Sequence, residues 1–184
     1  SLLQRAVKWR FGSDVEVVNA GVGGDNILRV AARLERDVLK RKPTHVFLFE
    51  GANSCKLRYN PTKPAPWPWS VGVEEYEKTF RDVVSRVVRS GARLTVMTCA
   101  PGDDSILKVF ERQARDYATA RSFFCRPAEV RRCVAIQKRV AKDLKAQVLD
   151  THAILTRYMA AQHKTRHTEY LHVDDGVYLS EHGA

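Results

Sequence analysis

"VEVVNAGVGGDN", residues 15–26, decides how the rest of the chain is read. Val15, Val17 and Val18 crowd β-branched side chains together just after the turn letters Gly12, Ser13 and Asp14, which reads as a short strand over 15–19. Gly21, Gly23 and Gly24 then let the backbone turn tightly, and Asp25 stands where a helix N-cap belongs. Beyond it Ile27, Val30, Ala31, Leu34 and Val38 recur at helical spacing until Pro43 stops the pattern. A strand running through glycines into a helix opens a βα unit. A second strand follows at once: "HVFLFE" (45–50) reads as buried and leads into "GANSC" (51–55).

The alternation continues to both sides. Residues 2–10 read as the end of a helix. Tyr76, Phe80, Val83, Val84, Val87 and Val88 mark an amphipathic helix closed by Gly91, and "RLTVMTC" (93–99) is a third strand. Val130, Cys133, Val134, Val140, Ala141 and Leu144 stripe a helix over 128–146, and "QVLD" (147–150) is a fourth short strand. This order predicts an α/β fold, a parallel sheet covered by helices on both faces, in one domain over 1–184. Chemistry in such a sheet collects where loops leave the carboxyl ends of the strands. Gly23 and Gly24 open a helix N-terminus whose amides can face a developing negative oxygen, and Asn53 offers a side-chain amide from the neighbouring loop. Together they read as a two-donor oxyanion hole, although glycines alone would equally shape a plain strand-to-helix turn.

Composition narrows the setting. The 184 residues are 44% hydrophobic, enough for the core of one ordinary domain. No apolar run approaches the length of a membrane span, and no charged-then-apolar leader opens the sequence. Cys55, Cys99, Cys125 and Cys133 are too scattered for a disulfide framework, so free thiols in a reducing, intracellular compartment are expected. The net charge of +10 favours acidic partners. Arg131, Arg132, Lys138 and Arg139 lie off the apolar stripe of their helix, as a solvated basic face or, more sharply, as a contact for RNA or an acidic protein. A mitochondrial assembly would suit that charge. "NPTKPAPWPWS" (60–70) is a stiff loop beyond the asparagine, a substrate lid or a docking surface. His163 and His167 stand four apart, a metal-ligand spacing on a helix. They lack a third ligand, so they read as solvated loop residues, with no metal and no cofactor expected.

Taken in order, the Asn-x-Gly-x-x-Gly-Asp block, the strand ending Gly-x-Asn, and the terminal Asp-Gly-Val-ring-Leu of "DDGVYLS" resemble the SGNH hydrolases, or GDSL-type esterases and lipases, along essentially the whole chain. The resemblance implies a flavodoxin-like three-layer α/β/α sandwich that cleaves small acyl or acetyl esters without a metal. It makes Gly24 and Asn53 the oxyanion donors and Asp175 the triad aspartate. It also exposes three departures. The strand carrying Gly-Asp-Ser is not found, and "FGSD" (11–14) leaves no room for the helix that should follow it, so Ser13 reads as a turn residue and the domain as N-terminally incomplete, its last helix also missing. Ser54 stands where the family usually has aspartate. Tyr178 occupies the triad-histidine position, and a phenol of pKa near 10 is ionised in only about one molecule in a thousand at neutral pH. His172 and His182 read as surface histidines. The expectation is therefore a hydrolase fold that has lost ester hydrolysis and serves as a basic structural subunit beside other proteins and RNA. The alternative is an active esterase or acetyl-ester hydrolase whose serine lies upstream of residue 1.

Overall fold

A computed structural model of the protein describes residues 2–12, 15–58, 68–101, 123–124 and 127–165. Helix α1 (Leu2–Phe11) precedes α2 (Ile27–Asp37), a single 3₁₀ turn (Leu39–Arg41) and strand β1 (His45–Phe49). The short helix α3 (Ala52–Cys55) leads to β2 (Leu57–Arg58) and the long α4 (Val73–Arg89). Strands β3 (Arg93–Met97) and β4 (Phe123–Phe124), helix α5 (Pro127–Asp143), β5 (Gln147–Leu149) and α6 (Thr151–Thr165) complete the order. Strands β1, β3 and β5 form a parallel sheet in that spatial order, with His45 level with Arg93 and Thr95 level with Gln147. Leu57 and Arg58 pair antiparallel with Phe124 and Phe123.

The α/β architecture of a parallel sheet flanked by helices is as the sequence predicts. Its core lies where α4 packs between α2, α5 and β3. Tyr76, Phe80, Val83, Val84 and Val87 form one fully buried stripe along α4 and meet Leu94 and Val96 of β3, Ile27 and Leu34 of α2, and Val130 and Val140 of α5. At roughly 25 cal/mol per Å² of apolar surface, each such side chain contributes about 1.5–3 kcal/mol of burial free energy.

Four local readings change. The segment 15–19 joins no ladder, although exposure alternates over 15–18; the Gln4 side chain bonds its backbone instead, donating to the Val15 carbonyl (3.0 Å) and accepting from the Val17 amide (2.6 Å). β-Branched letters favour a strand, but a strand also needs a neighbour. The N-cap of α2 is Asn26, whose side chain accepts from the Arg29 amide, while Asp25 pairs with Arg33 at 2.6 Å. β1 is half-exposed rather than buried: Val46 and Leu48 face the core, whereas Phe47 and Phe49 are 58% and 53% exposed. A helix follows β5, so position 163 lies in α6 and not in a loop. No helix among the described residues is long and apolar enough to cross a membrane.

Candidate active site

Parallel pairing brings the carboxyl ends of β1, β3 and β5 to one rim, and the loops leaving it carry the candidate chemistry. The first is the Gly-rich turn before α2. Asn19 Oδ1 accepts from the Gly21 amide (2.9 Å), the Asp25 amide closes on the Val22 carbonyl (3.2 Å), and Gly24 takes φ +82 in open surroundings, with nothing within 4 Å of where a Cβ would stand. Arg33 clamps this turn from behind. Its guanidinium donates to the Ala20 carbonyl (2.5 Å) and pairs with Asp25, at side-chain exposures of 16% and 11%. The backbone at Gly24 is thus presented outward from a turn that is held at both ends.

The second loop follows β1. Gly51 adopts φ +143, a region closed to other residues, and a Cβ there would sit 2.8 Å from Cys99 Cβ. That approach lets α3 begin at once, with the Ser54 and Cys55 amides bonding the Gly51 carbonyl (3.0 and 2.9 Å). Asn53 is half-buried on α3, and its side-chain amide makes no hydrogen bond among the described residues. Ser70 fastens α3 from outside, its hydroxyl donating to the Asn53 carbonyl and to the Ser54 carbonyl (2.9 Å).

Between the two loops lies a direct bond: the Ile27 amide donates to the Ser54 hydroxyl (2.9 Å), which in turn donates to Glu50 Oε1. In the chain, Gly24 stands three residues before Ile27, and Asn53 one before Ser54. Beneath it, Gln137 donates to the Glu50 carbonyl (2.6 Å) and the Tyr76 hydroxyl (3.1 Å), and accepts from the Cys99 amide (2.9 Å). The Cys133 thiol donates to the Tyr76 hydroxyl at 3.2 Å.

Glu50 is the residue that sequence reasoning missed. It reads as the last letter of a strand, yet its carboxyl is buried and its Oε2 has no hydrogen-bond partner among the described residues. Burial pushes the carboxyl up to about 8, the Cys133 sulfur adds to the rise, and Ser54, Tyr76 and the Gly51 amide oppose it. Burial likewise raises the Tyr76 phenol. The Cys55 and Cys99 thiols bond the Cys133 sulfur and draw it below an ordinary thiol, against burial. The signal available in the sequence was an acidic letter ending an apolar run directly before a glycine. Three cysteines far apart in sequence, Cys55, Cys99 and Cys133, converge here as buried free thiols.

Other expected residues fare differently. Asp175, Tyr178, His172, His182, His167, Ser13 and Cys125 lie outside the described residues. Of the proline-rich stretch read as a lid or docking surface, residues 60–67 lie outside the described residues; Trp69 at its end is 5% exposed, donates to Glu129 and packs edge-on to Tyr76 at 5.8 Å. The basic face of α5 is largely matched within the fold. Lys138 pairs with Asp150, Arg139 with Glu77 (2.6 Å), and Arg132 lies over the Trp69 ring (5.9 Å), while Arg131 is exposed. Asp150 feels burial, yet Lys138, the Ala153 amide and Thr98 hold its carboxyl below the usual value. A shallow pocket lined by Leu39, Lys42, Pro43, His45 and Arg93 lies at the amino-terminal end of the strands, away from the rim.

A family model described as the GDSL-like lipase/acylhydrolase family matches residues 1–184. An acetylxylan esterase of Geobacillus stearothermophilus is 34% identical over 70 residues, which span 38% of this chain and 31% of that enzyme. Among solved structures, an acetyl xylan esterase, AlAXEase, aligns with a TM-score of 0.73 at 20% identity, covering 99% of this chain and 82% of its own. A lipase/acylhydrolase from Enterococcus faecalis aligns at 0.71 and 20% identity, covering 99% and 76%. These alignments share the fold. The expectation of an inactive structural subunit in an RNA-containing assembly is overturned: a hydrolase family model spans the whole chain, a related sequence is an esterase, and two cations of the basic helix, Lys138 and Arg139, pair with acids of their own fold.

Proposed function

Because the chain belongs to the GDSL-like lipase/acylhydrolase family, we propose that it is an ester hydrolase, acting on acetyl groups carried by a xylan-type carbohydrate. The observation that carries this reading is the Ile27–Ser54 hydrogen bond, which brings the Gly24 turn and the Asn53 helix side by side at the rim. Attack on an ester carbonyl builds negative charge on one oxygen, and the amide of the exposed Gly24 together with the side-chain amide of Asn53 would supply the donor pair such an oxyanion needs. Ser54 and Ser70 are not candidates for the nucleophile, since both hydroxyls are committed to hydrogen bonds inside the fold. Asp175 is the carboxylate that would orient the base. Tyr178 is too weak a base at neutral pH, so His182 and His172 are the side chains to test in that role.

The test is acetate release from acetylated xylooligosaccharides by the full-length protein. Asn53→Ala should lower kcat by about two to three orders of magnitude, the usual cost of one oxyanion donor, with KM little changed. His182→Ala and His172→Ala identify the base, one of them losing activity to a similar or larger extent. Absence of acetate release from the natural protein, or an Asn53→Ala variant as fast as wild type, would sink the proposal.

A further inference from the structure

The relay running from the Ile27 amide through the Ser54 hydroxyl to Glu50 crosses from one loop to the other. Arg33 grips the Gly-rich turn through Ala20 and Asp25, and its own helix through Asp37 (3.3 Å). Ser70 grips α3 through the Asn53 and Ser54 carbonyls, and its amide donates to the Lys56 carbonyl (2.7 Å). Gln137 joins the end of β1 to Cys99, beyond the end of β3, and does not reach the turn before α2. Among the described residues Ser54 thus carries a side-chain link between the start of α2 and α3, and its hydroxyl is oriented by the carboxyl it donates to.

Burying that carboxyl costs the fold. Among the described residues Oε2 has no hydrogen-bond partner in the interior, where an apolar or amide side chain would be less expensive. The return on that cost appears at the rim. A hydroxyl that must accept from Ile27 can do so in one direction only if its own proton has a fixed acceptor, and Glu50 supplies it.

We infer that Glu50 and Ser54 are positioning residues for ester hydrolysis: their relay to the Ile27 amide sets the spacing of the Gly24 amide and the Asn53 side chain without either residue touching substrate. This rests on the ester-hydrolase reading. The groups facing Glu50 are the Tyr76 hydroxyl, the Cys133 sulfur and the Gly51 amide, and none of them can replace the carboxyl as acceptor for Ser54 without moving a core side chain. Loss of the relay leaves the turn held by Arg33 and α3 held by Ser70, so the fold persists while the distance between the donors loosens. Displacement of a catalytic group by about 1 Å can cost up to a hundredfold in rate.

Three variants of the full-length protein test this. Ser54→Ala removes the acceptor of the Ile27 amide, Glu50→Ala removes the acceptor of Ser54, and Glu50→Gln keeps a side-chain oxygen in place. Ser54→Ala and Glu50→Ala should each lower kcat for acetylated xylooligosaccharide about 10- to 100-fold with KM within about twofold. Hydrogen exchange at the Ile27 amide should accelerate at least about tenfold in Ser54→Ala, and Glu50→Gln should restore both readouts to near wild type. An unchanged kcat in Ser54→Ala, or unchanged exchange at Ile27, overturns the inference. A natural protein that releases no acetate fails the hydrolase reading and with it the catalytic role assigned here. In that case exchange at Ile27 still reads the coupling of the two loops, and an unchanged rate there defeats it as well.

Discussion

Gly51 shows how much of a site can depend on a missing side chain. At φ +143 the residue turns the chain from β1 into α3, and a Cβ would lie 2.8 Å from Cys99 Cβ and 3.1 Å from the sulfurs of Cys99 and Cys133. Neither backbone nor core can yield cheaply there. Gly51→Ala should therefore destabilise the protein by about 3 kcal/mol or more, read as a fall in the urea midpoint at constant m-value, and an unaffected midpoint would show that the loop can relax. This residue was legible in part: "GANS" reads as a turn leaving a strand, and the structure turns the chain there from β1 into α3, whose Ser54 accepts from the Ile27 amide. Glu50 was not legible, because a carboxyl is an ordinary end to a strand until the burial around it is known. Ser54 stood out only as a departure from an aspartate. What the structure adds is that a carboxylate one helical turn earlier, Glu50, stands behind its hydroxyl.

Among the elements, α4 was the easiest to read and carries the most packing. Its apolar letters recur at helical spacing over two and more turns, so one face must be buried whatever it meets. Phe80, fully buried and stacked on Tyr76 at 5.7 Å, sits at the middle of that face. Phe80→Ala should cost about 3–5 kcal/mol by chemical denaturation, and a loss under about 1 kcal/mol would mean that the core closes over the space. The segment 15–20 marks the limit of such reading. Its exposure alternates over 15–18, but hydrogen bonding to a neighbour depends on chain from elsewhere, which local pattern does not contain. Helix α5 failed in the opposite direction. Its cations were plain to see, whereas the acids that meet them, Glu77 and Asp150, come from other elements. Exposed pairs of this kind contribute little, so Arg139→Gln should change stability by less than about 1 kcal/mol in the same assay.

For the molecule as a whole, the buried carboxyl predicts how stability responds to pH. Glu50 is raised from an ordinary value of 4.5 to about 8, so the folded protein holds a proton that the unfolded chain has released. Its contribution is fully present below about pH 4.5, falls as pH rises, and is lost once pH passes about 8. Other groups act differently over parts of this range. Asp37 and Asp150 are held low and act only in acid, His152 is lowered by burial and favours the folded state as pH rises towards neutrality, and the Cys133 thiol is drawn down beside Glu50 itself. The comparison that isolates Glu50 is wild type against Glu50→Gln. Melting temperatures from pH 5 to pH 8.5 should show the variant gaining on the wild type as pH rises, and parallel curves would contradict the raised carboxyl.

The sheet itself is unequal from end to end. β1 and β3 run level from His45 and Arg93 to Phe49 and Met97, but β5 joins only at Thr95. Beyond the ladder the Thr98 amide still reaches the Leu149 carbonyl at 3.1 Å. Among the described residues the sheet is therefore two strands wide at its foot and three at the rim. Opening motions need the fewest bonds broken at the foot, so thermal fluctuation should enter there and die out before it reaches Glu50 and Ser54. The loops that carry the proposed chemistry thus stand on the stiff end of an otherwise thin scaffold, and their alignment is insulated from the fraying below.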